Sequence, residues 1–421
     1  MSDPGLHAPR LRSAIAAVDL ACSLEHPADA VLREFFRDHK EIGSHDRGFV
    51  AESVFTVLRH KRLLDTIVPS PSPRRLVIAA LAKLQGQSIG SLENLLHAGD
   101  KDWLVTVKQA DVESLPMAVR LSLPDWLWDR LCVQDGETEA VALGRALLSP
   151  APLDLRINPL KTSREQVLVQ LAAGGIEAVP TPFSPFGIRV AGKPAINAHP
   201  LFKSGGIEVQ DEGSQLLGFL LAPKRREMVV DFCAGAGGKT LLLGSLMQSQ
   251  GRLYALDVSE KRLNSLKPRL ARSGLSNVHP QRIATENDIK IKRLAGKIDR
   301  VLVDAPCTGL GTLRRNPDLK WRQSPESATE LAAKQLAILR SAASLLRAGG
   351  RLVYATCSLL REENEAVVEA FLAERPDFAL EHAQSVLDEQ RIGLDSGPMF
   401  RVLPHRHGTD GFFAAVLGKK G

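Results

Sequence analysis

From Val209 to the C-terminus, short apolar runs alternate with amphipathic segments, and this alternation most constrains the fold. The apolar runs have strand length and are rich in Val and Leu, as expected for strands buried on both faces of a sheet. The segments between them have the length of helices, which together predicts a parallel, doubly wound α/β sheet over residues 209–421. The predicted strands are Met228–Phe232, Leu253–Asp257, Val278–Ile283, Arg300–Asp304, Arg351–Thr356 and Phe412–Leu417.

At 421 residues the chain is too long for one ordinary domain. Proline-rich breaks occur at Ser70–Pro73 and Ser149–Pro152. Residues 1–148 carry apolar side chains near helical spacing, which predicts a mainly helical domain. Residues 149–208 combine short strand patterns with one helix at Ser163–Ala173, which predicts a small α+β module.

Composition limits the partner and the compartment. The net charge of +6 suits a polyanionic partner, although many proteins without such a partner share this balance. The five cysteines show no C-x-x-C pair and no metal-ligand spacing, so we predict a reducing compartment and no metal site. No apolar segment reaches membrane length. We expect a cytoplasmic monomer without membrane association.

A glycine-rich loop, Asp231–Thr240, joins the first predicted strand of the sheet to its first helix. Glycines there let the backbone turn tightly and approach a ligand closely. Asp257 ends the next strand, where an acid can accept hydrogen bonds from ribose hydroxyls. The Gly-Lys-Thr sequence at the end of the loop imitates a P-loop, but that motif requires glycine where Cys233 stands. S-adenosylmethionine, which has a ribose and no phosphates, therefore fits better than a nucleoside triphosphate.

The fourth and fifth predicted strands each end beside a cysteine. Asp304 closes the fourth strand, and Pro306 separates that strand from Cys307 because proline cannot donate to a sheet ladder. Cys357 follows the fifth strand. Since ligands bind at the carboxyl ends of strands in open α/β sheets, we expect these groups to share one site.

Such a thiol pair admits three interpretations: a redox pair, small core residues or catalytic thiols. A single cysteine is most often buried and inert, which we expect for Cys22 and Cys132. Cys307 and Cys357 each end an apolar run, which favours a chemical role.

Methylation of carbon-5 of a pyrimidine would use two thiols and an acid. Carbon-5 of cytosine is a poor nucleophile, but addition of a thiolate to carbon-6 makes it enamine-like. A carboxyl group at the ring nitrogen takes up the developing charge. A base then removes the carbon-5 proton so that the thiol can leave.

Several segments resemble the motifs of the Sun-type (RsmB-like) RNA cytosine-5 methyltransferases. These segments are Asp231–Thr240, Asp304–Thr308, Arg314–Trp321 and Thr356–Ser358. Val209–Gln215 resembles the start of that family's catalytic domain, and the likeness is specific over residues 205–417. Upstream, residues 153–205 resemble the family's small RNA-binding module, and residues 30–65 resemble the NusB-like domain of its bacterial ribosomal-RNA members.

The resemblance implies a Rossmann-like methyltransferase domain that uses S-adenosylmethionine to methylate carbon-5 of a cytosine in RNA, with ribosomal RNA as the expected partner. It makes Cys357 the nucleophile, assigns Cys307 to proton removal and release, and places Asp304 against the base and the methyl donor. DNA cytosine methyltransferases use the Pro-Cys thiol as nucleophile, so these roles come from the resemblance alone. The expected cofactor-binding residues are Cys233, Ala234, Gly235, Ala236, Gly237, Gly238, Lys239, Asp257 and Asp304.

One departure concerns the adenine. The family usually has an acid after the third strand, where residues 283–285 read Ile-Ala-Thr. Glu286 or Asp288 is the expected substitute.

Two basic clusters suggest RNA contacts. The loop after Cys307 carries bases and an aromatic residue, for which we expect phosphate contact and base stacking; these are Arg314, Arg315, Lys320 and Trp321. In the α+β module a solvated surface is at least as well supported as phosphate contact; the residues are Arg156, Asn158, Lys161 and Arg164.

Two other functions fit the same fold. A catalytically inactive RNA-binding assembly factor would need neither thiol nor Asp304. A small-molecule methyltransferase rarely requires two thiols or a basic helical domain, and dependence of methyl transfer on RNA would separate it from an RNA enzyme.

Overall fold

A computed structural model describes residues 7–421, so the first six residues of the predicted helical domain lie outside the described part. The chain divides into two compact units. One comprises the described part of Met1–Pro150 together with Thr312–Pro325, and the other comprises Ala151–Gly311 and Glu326–Gly421. Among the described residues, no helix combines the length and the apolar character needed to cross a membrane.

The first unit is helical. Its core is formed by apolar side chains from successive helices, including the fully buried Val54 and Leu104. Local signals set several helix starts; Ser72, for example, accepts a hydrogen bond from the backbone N–H of Arg75, with a proline in the first turn. The α-helices are Ala8–Cys22, Ala28–Asp38, Ser44–Arg59, Lys61–Ile67, Pro73–Ala79, Ile89–Leu92, Asp100–Gln109, Met117–Arg120, Asp125–Asp135, Glu137–Leu147 and Leu319–Arg322.

The segment Thr312–Pro325 corrects our interpretation of the basic loop. Lys320 is buried, and its Nζ donates to the carbonyl oxygen of Arg59 at 2.7 Å. The indole Nε1 of Trp321 donates to the carbonyl oxygen of Leu58 at 2.7 Å. Burial, followed by the charge of Arg59, lowers the pKa of Lys320 well below its ordinary value. These two side chains anchor the segment within the helical unit. The prediction that Lys320 contacts RNA is wrong because its ammonium group is buried, whereas base stacking on the partly exposed ring of Trp321 stays a prediction.

The second unit contains two sheets. Its strands are β1 Leu153–Ile157, β2 Ala178–Pro180, β3 Gly187–Val190, β4 Ile207–Val209, β5 Met228–Asp231, β6 Arg252–Asp257, β7 Val278–Arg282, β8 Ile298–Asp304, β9 Leu346–Thr356, β10 Phe378–Glu381, β11 Phe400–Val402 and β12 Phe412–Lys419. The α-helices of this unit are Arg164–Ala173, Pro200–Lys203, Glu212–Leu221, Gly238–Leu246, Glu260–Ser273, Ile289–Leu294, Pro325–Ser344, Glu365–Glu374, Ala383–Glu389 and Pro404–His407.

The smaller sheet has the order β2-β3-β1-β4, with each pair antiparallel. Its bases are less available than the sequence suggested. Arg156 is buried and donates from Nη1 to the carbonyl oxygen of Gly238 at 2.7 Å, while Lys161 donates from Nζ to the carbonyl oxygen of Arg272 at 2.6 Å. Arg156 therefore belongs neither to a solvated surface nor to a phosphate-binding one.

The larger sheet has the order β10-β12-β9-β8-β5-β6-β7, and β11 pairs with β12. Strands β5 to β9 run parallel, and β12 is antiparallel to β9. The predicted Rossmann-like α/β class is confirmed, although the sequence did not reveal the short edge strand β10. The chain proceeds from β5 to β7 on one side and then returns to β8 on the other. The carboxyl ends of β5 and β8 therefore flank the point where such folds bind ligands.

Candidate active site

The two cysteines at the strand ends are in contact. Strands β8 and β9 are neighbours, with Asp304 paired to Ala355, so Cys307 and Cys357 leave the sheet side by side. Their Sγ atoms lie 3.4 Å apart. The hydrogen bond to Cys357, followed by burial and then by the charges of Cys357 and Glu363, raises the pKa of Cys307 well above its ordinary value. The raised pKa favours the protonated form of Cys307.

Asp304 is paired with a lysine. The Nζ of Lys239 donates to Oδ2 of Asp304 at 2.8 Å and lies 5.5 Å from the centre of the Phe412 ring. Burial by itself lowers the pKa of Lys239, but the carboxylate of Asp304 and the charge on Cys357 outweigh it and raise that pKa. Lys239 is therefore a fixed cation between the acid and one thiol. The sequence predicted Lys239 only as a cofactor-binding residue, because its partner Asp304 lies 65 residues further along the chain.

The glycine-rich loop is held by tight packing. Gly237 has a φ of +84°, and a Cβ there would lie 2.1 Å from a methyl carbon of Leu266. The N–H of Gly235 donates to one carboxylate oxygen of Asp257 at 2.8 Å, and the N–H of Ser259 donates to the other at 2.7 Å. These bonds fix both the loop and the orientation of the acid.

Two titratable groups lie at the start of this loop, Asp231 and Cys233. Burial raises the pKa of Asp231 to about 7, helped by the charges of Asp304 and Asp257. The Oδ2 of Asp231 accepts from the hydroxyl of Thr240 at 2.7 Å, whereas its Oδ1 is buried without a hydrogen-bond partner among the described residues. Burial and the neighbouring acids also raise the pKa of Cys233 well above its ordinary value, so this thiol is not a nucleophile.

One cavity of about 820 Å³ connects these groups. It is lined by the glycine-rich loop, by the acids after β6 and β8, and by both cysteines of the pair. Of the predicted site residues it includes Cys233, Ala234, Gly235, Ala236, Gly238, Lys239, Asp257, Asp304, Cys307 and Cys357, while Gly237 packs behind the loop. The structure thus brings the predicted thiols, acid and loop to one site.

Further lining residues distinguish the candidates for the missing acid. Glu286 lines the cavity. Asp288 instead accepts from the N–H of Ala284 at 2.8 Å and caps the helix Ile289–Leu294. Lys334 also lines the cavity, and the sequence analysis missed it because it lies on a helix surface with no motif around it.

Comparison with known proteins identifies the family. The family described as 16S rRNA methyltransferase RsmB/F matches residues 218–418, and the ferredoxin-like domain described for RsmF/B-like methyltransferases matches residues 123–197. The probable ribosomal RNA small subunit methyltransferase B of Synechocystis sp. is 34% identical over 411 residues, covering 89% of this chain and 91% of that protein. Its counterpart in Bacillus subtilis is 34% identical over 351 residues, covering 81% and 76% respectively.

A solved structure agrees over the whole length. The crystal structure of PH0851 superimposes with a TM-score of 0.83 at 28% identity and covers 99% of both chains. Together with the extent of identity to the bacterial relatives, this shows that the chain belongs to the RsmB/F family of 16S rRNA methyltransferases.

Proposed function

We propose that the protein transfers a methyl group from S-adenosylmethionine to carbon-5 of a cytosine in ribosomal RNA, through a covalent adduct with Cys357. The observation that carries this proposal is the 3.4 Å contact between the Sγ atoms of Cys307 and Cys357 in the same cavity as the glycine-rich loop. Neither binding of RNA alone nor an ordinary methyl transfer to oxygen or nitrogen requires two thiols there. The substrate class follows from the names of the bacterial relatives.

The cavity suits S-adenosylmethionine. Asp257 can accept hydrogen bonds from ribose hydroxyls, as acids at this position do in dinucleotide sites. The carboxylate of Asp304, which lines the cavity, places negative charge where a cationic donor is stabilised. When bound, the donor supplies an electrophilic methyl group. Glu286, at the cavity wall after β7, is the residue we assign to the adenine.

Cys357 acts as the nucleophile in this proposal. Its sulfur, as the thiolate, forms a bond to carbon-6 of the cytosine, which makes carbon-5 nucleophilic. The positive charge of Lys239 interacts with Cys357 and stabilises negative charge on its sulfur. Asp304, held by Lys239, faces the amino group of the cytosine, from which its carboxylate accepts a hydrogen bond, and the positive charge of Lys239 offsets the negative charge that develops on the ring as the adduct forms.

Cys307 acts after methylation. Contact with Cys357 is the main reason that the pKa of Cys307 is raised. Once the sulfur of Cys357 is bonded to carbon, it no longer carries charge, and Cys307 can release its proton to solvent through the cavity. The Cys307 thiolate then accepts the carbon-5 proton, the carbon-5 to carbon-6 double bond re-forms, and Cys357 leaves as a thiolate.

The RNA must present an unstacked base, because carbon-6 is unreachable inside a duplex. We propose that residues 1–148 form a NusB-like RNA-binding domain and that residues 149–208 form a second RNA-binding module. The match of the ferredoxin-like domain to residues 123–197 supports a separate module in this part of the chain, although it begins before residue 149.

Adduct trapping tests the proposal. Cys307→Ala, Cys357→Ala and a matched Cys132→Ala control are incubated with small-subunit ribosomal RNA and S-adenosylmethionine, then resolved on a denaturing gel. We expect Cys307→Ala alone to accumulate an RNA-linked band, because the adduct forms and is not released. The unaltered protein and Cys132→Ala should yield 5-methylcytosine in the RNA without a stable adduct.

Other outcomes are equally informative. A band for Cys357→Ala alone would reverse the two thiol roles. Absence of methyl transfer by the unaltered protein would contradict the enzymatic proposal and favour the RNA-binding assembly factor. Methyl transfer that does not depend on RNA would favour a small-molecule methyltransferase.

A further inference from the structure

Glu363 is a fully buried carboxylate next to the thiol pair. Its Oε1 accepts from the backbone N–H of Thr308 and from Nε2 of Gln335, each at 2.9 Å. Its Oε2 accepts from the hydroxyl of Thr308 at 2.5 Å and from the hydroxyl of Ser358. Each of these described partners is a neutral donor, so the carboxylate is hydrogen-bonded without a paired cation among them.

These hydrogen bonds join the two cysteine loops. Thr308 follows Cys307 and Ser358 follows Cys357, so a single carboxylate binds the neighbour of each thiol. Gln335 adds a third connection, because its Nε2 also donates to the carbonyl oxygen of Pro306 at 2.9 Å. The separation of the two sulfurs therefore depends on the position of Glu363.

The backbone around Glu363 is fixed in turn. The hydroxyl of Tyr354 donates to the carbonyl oxygen of Glu363 at 2.5 Å. The hydroxyl of Thr356 donates to Oδ1 of Asn364 at 2.5 Å, and Nδ2 of Asn364 donates to the carbonyl oxygen of Ser358 at 3.2 Å. This buried network leaves the carboxylate little freedom to move away from the thiols.

Two charged side chains act on the thiol pair. The cation of Lys239 interacts with Cys357, and the charge of Glu363 contributes to the raised pKa of Cys307. A neutral side chain could join the two loops at a lower desolvation cost than a carboxylate. The negative charge of Glu363 is therefore not needed merely to join the two loops.

We propose that Glu363 is a positioning residue that holds the two thiol loops together and places a negative charge beside Cys307. That charge opposes the formation of a thiolate on Cys307. The purpose of this arrangement rests on the proposed function, in which Cys357 begins the reaction. The arrangement itself is a property of the protein without RNA or cofactor.

Glu363→Gln is the test, because its amide preserves the hydrogen-bond geometry. Its oxygen can replace Oε1, and its NH₂ group can donate to the hydroxyls of Thr308 and Ser358, which also accept hydrogen bonds. Glu369→Gln, an exposed acid on the next helix whose partner is Arg361, is the matched control.

The readout is the initial rate of alkylation of each cysteine by iodoacetamide across a pH series, followed by peptide mass spectrometry. We expect Glu363→Gln to accelerate the alkylation of Cys307 by roughly threefold or more near pH 8, because a negative charge that opposes its thiolate is removed. Cys132 serves as an internal reference. Glu369→Gln should leave both rates unchanged.

Two results would overturn the proposal. One is a folded Glu363→Gln protein, judged by circular dichroism, in which the rate for Cys307 is unchanged. The other needs no variant: Cys307 of the native protein must be alkylated roughly tenfold more slowly than free cysteine at pH 8, and comparable rates would refute the effect of the buried charge even if Glu363→Gln does not fold. Methyl transfer is measured separately, so its absence would contradict the proposed function while these rates still decide the role of Glu363.

Discussion

The Nζ of Lys239 lies 2.8 Å from the carboxylate of Asp304, and the same cation acts on Cys357. The side chain of Lys239, on the helix Gly238–Leu246, thus interacts with groups at the ends of β8 and β9. Because the side chain of Lys239 is only 13% exposed, its charge is screened less than a surface charge. Its removal should affect the acid and the thiol together.

Lys239→Met should lower methyl transfer to ribosomal RNA roughly 100-fold, the scale observed when one preorganised electrostatic partner is removed. The alkylation rate of Cys357 near neutral pH should also fall, because its thiolate loses a stabilising cation. Steady-state kinetics and mass spectrometry measure the two effects. Lys261→Met, at an exposed position on the next helix, is the control. Normal methyl transfer by Lys239→Met would refute the role given to this cation.

His60 should make the helical unit sensitive to acid. Burial, followed by the charges of Lys320 and Arg59, lowers the pKa of His60 to about 4 from an ordinary value of 6.5. Between these values the unfolded chain binds a proton that the folded chain does not, so stability rises with pH from about 4 to 6.5. The difference of about 2.5 pH units corresponds to about 3 kcal/mol at most.

Replacement of His60 by asparagine should flatten this part of the stability profile. All four tryptophans, at positions 103, 126, 128 and 321, belong to the helical unit, so their fluorescence during urea unfolding reports on it selectively. The exposed His26→Asn is the control. An equal pH slope in the two variants would show that His60 titrates normally in the folded protein.

The raised pKa of Asp231 should give the stability of the second unit the opposite dependence on pH. Its pKa is raised to about 7 from 3.8, so the folded state retains a proton that the unfolded state has lost. Stability contributed by this proton is present below pH 4 and is lost as the pH rises to 7, by about 4 kcal/mol at most. Asp231→Asn should remove that loss, since its amide oxygen can still accept from Thr240.

Hydrogen exchange of β5 at pH 5 and pH 8 measures this effect in the absence of cofactor. Protection of β5 should fall between these values in the unaltered protein, after correction for intrinsic exchange, and should stay level in Asp231→Asn. Asp395→Asn, at an exposed position in the same unit, should behave as the unaltered protein. Parallel curves for all three proteins would contradict the raised pKa.

The part of the site that lies at the strand ends could be predicted from the sequence. Apolar periodicity located β8 and β9, and parallel neighbours necessarily bring their carboxyl ends together, so the meeting of Cys307 and Cys357 followed from local patterns. Glu363 could not be found in this way. It stands among Glu362 and Glu365 in a run that looks like any solvated acidic helix start, and only tertiary packing buries it.

The prediction that Lys320 contacts RNA was wrong for a related reason. A lysine beside a tryptophan near an active site has the composition of an RNA-binding loop. The hydrogen bonds of Lys320 and Trp321 to the carbonyls of Arg59 and Leu58 span more than 250 residues, and no local pattern encodes them. Composition predicted which groups would be present, whereas long-range packing decided whether water or RNA could reach them.

The substitution Gly311→Ala should displace the backbone of Cys357. The N–H of Gly311 donates to the carbonyl oxygen of Cys357 at 2.8 Å, and a Cβ on Gly311 would lie 2.8 Å from that oxygen and 2.2 Å from the carbonyl oxygen of Gly411. Both obstacles are backbone atoms, so the Cys357 loop must shift, with a loss of roughly 1–3 kcal/mol in stability. Gly393→Ala, whose Cβ meets nothing within 4 Å, is the control.

Methyl transfer by Gly311→Ala should fall more than the loss of stability alone explains, because a displacement of about 1 Å at a reacting group can reduce the rate roughly 100-fold. Equal activity and equal urea midpoints in the two glycine variants would show that this close backbone contact does not position the thiol.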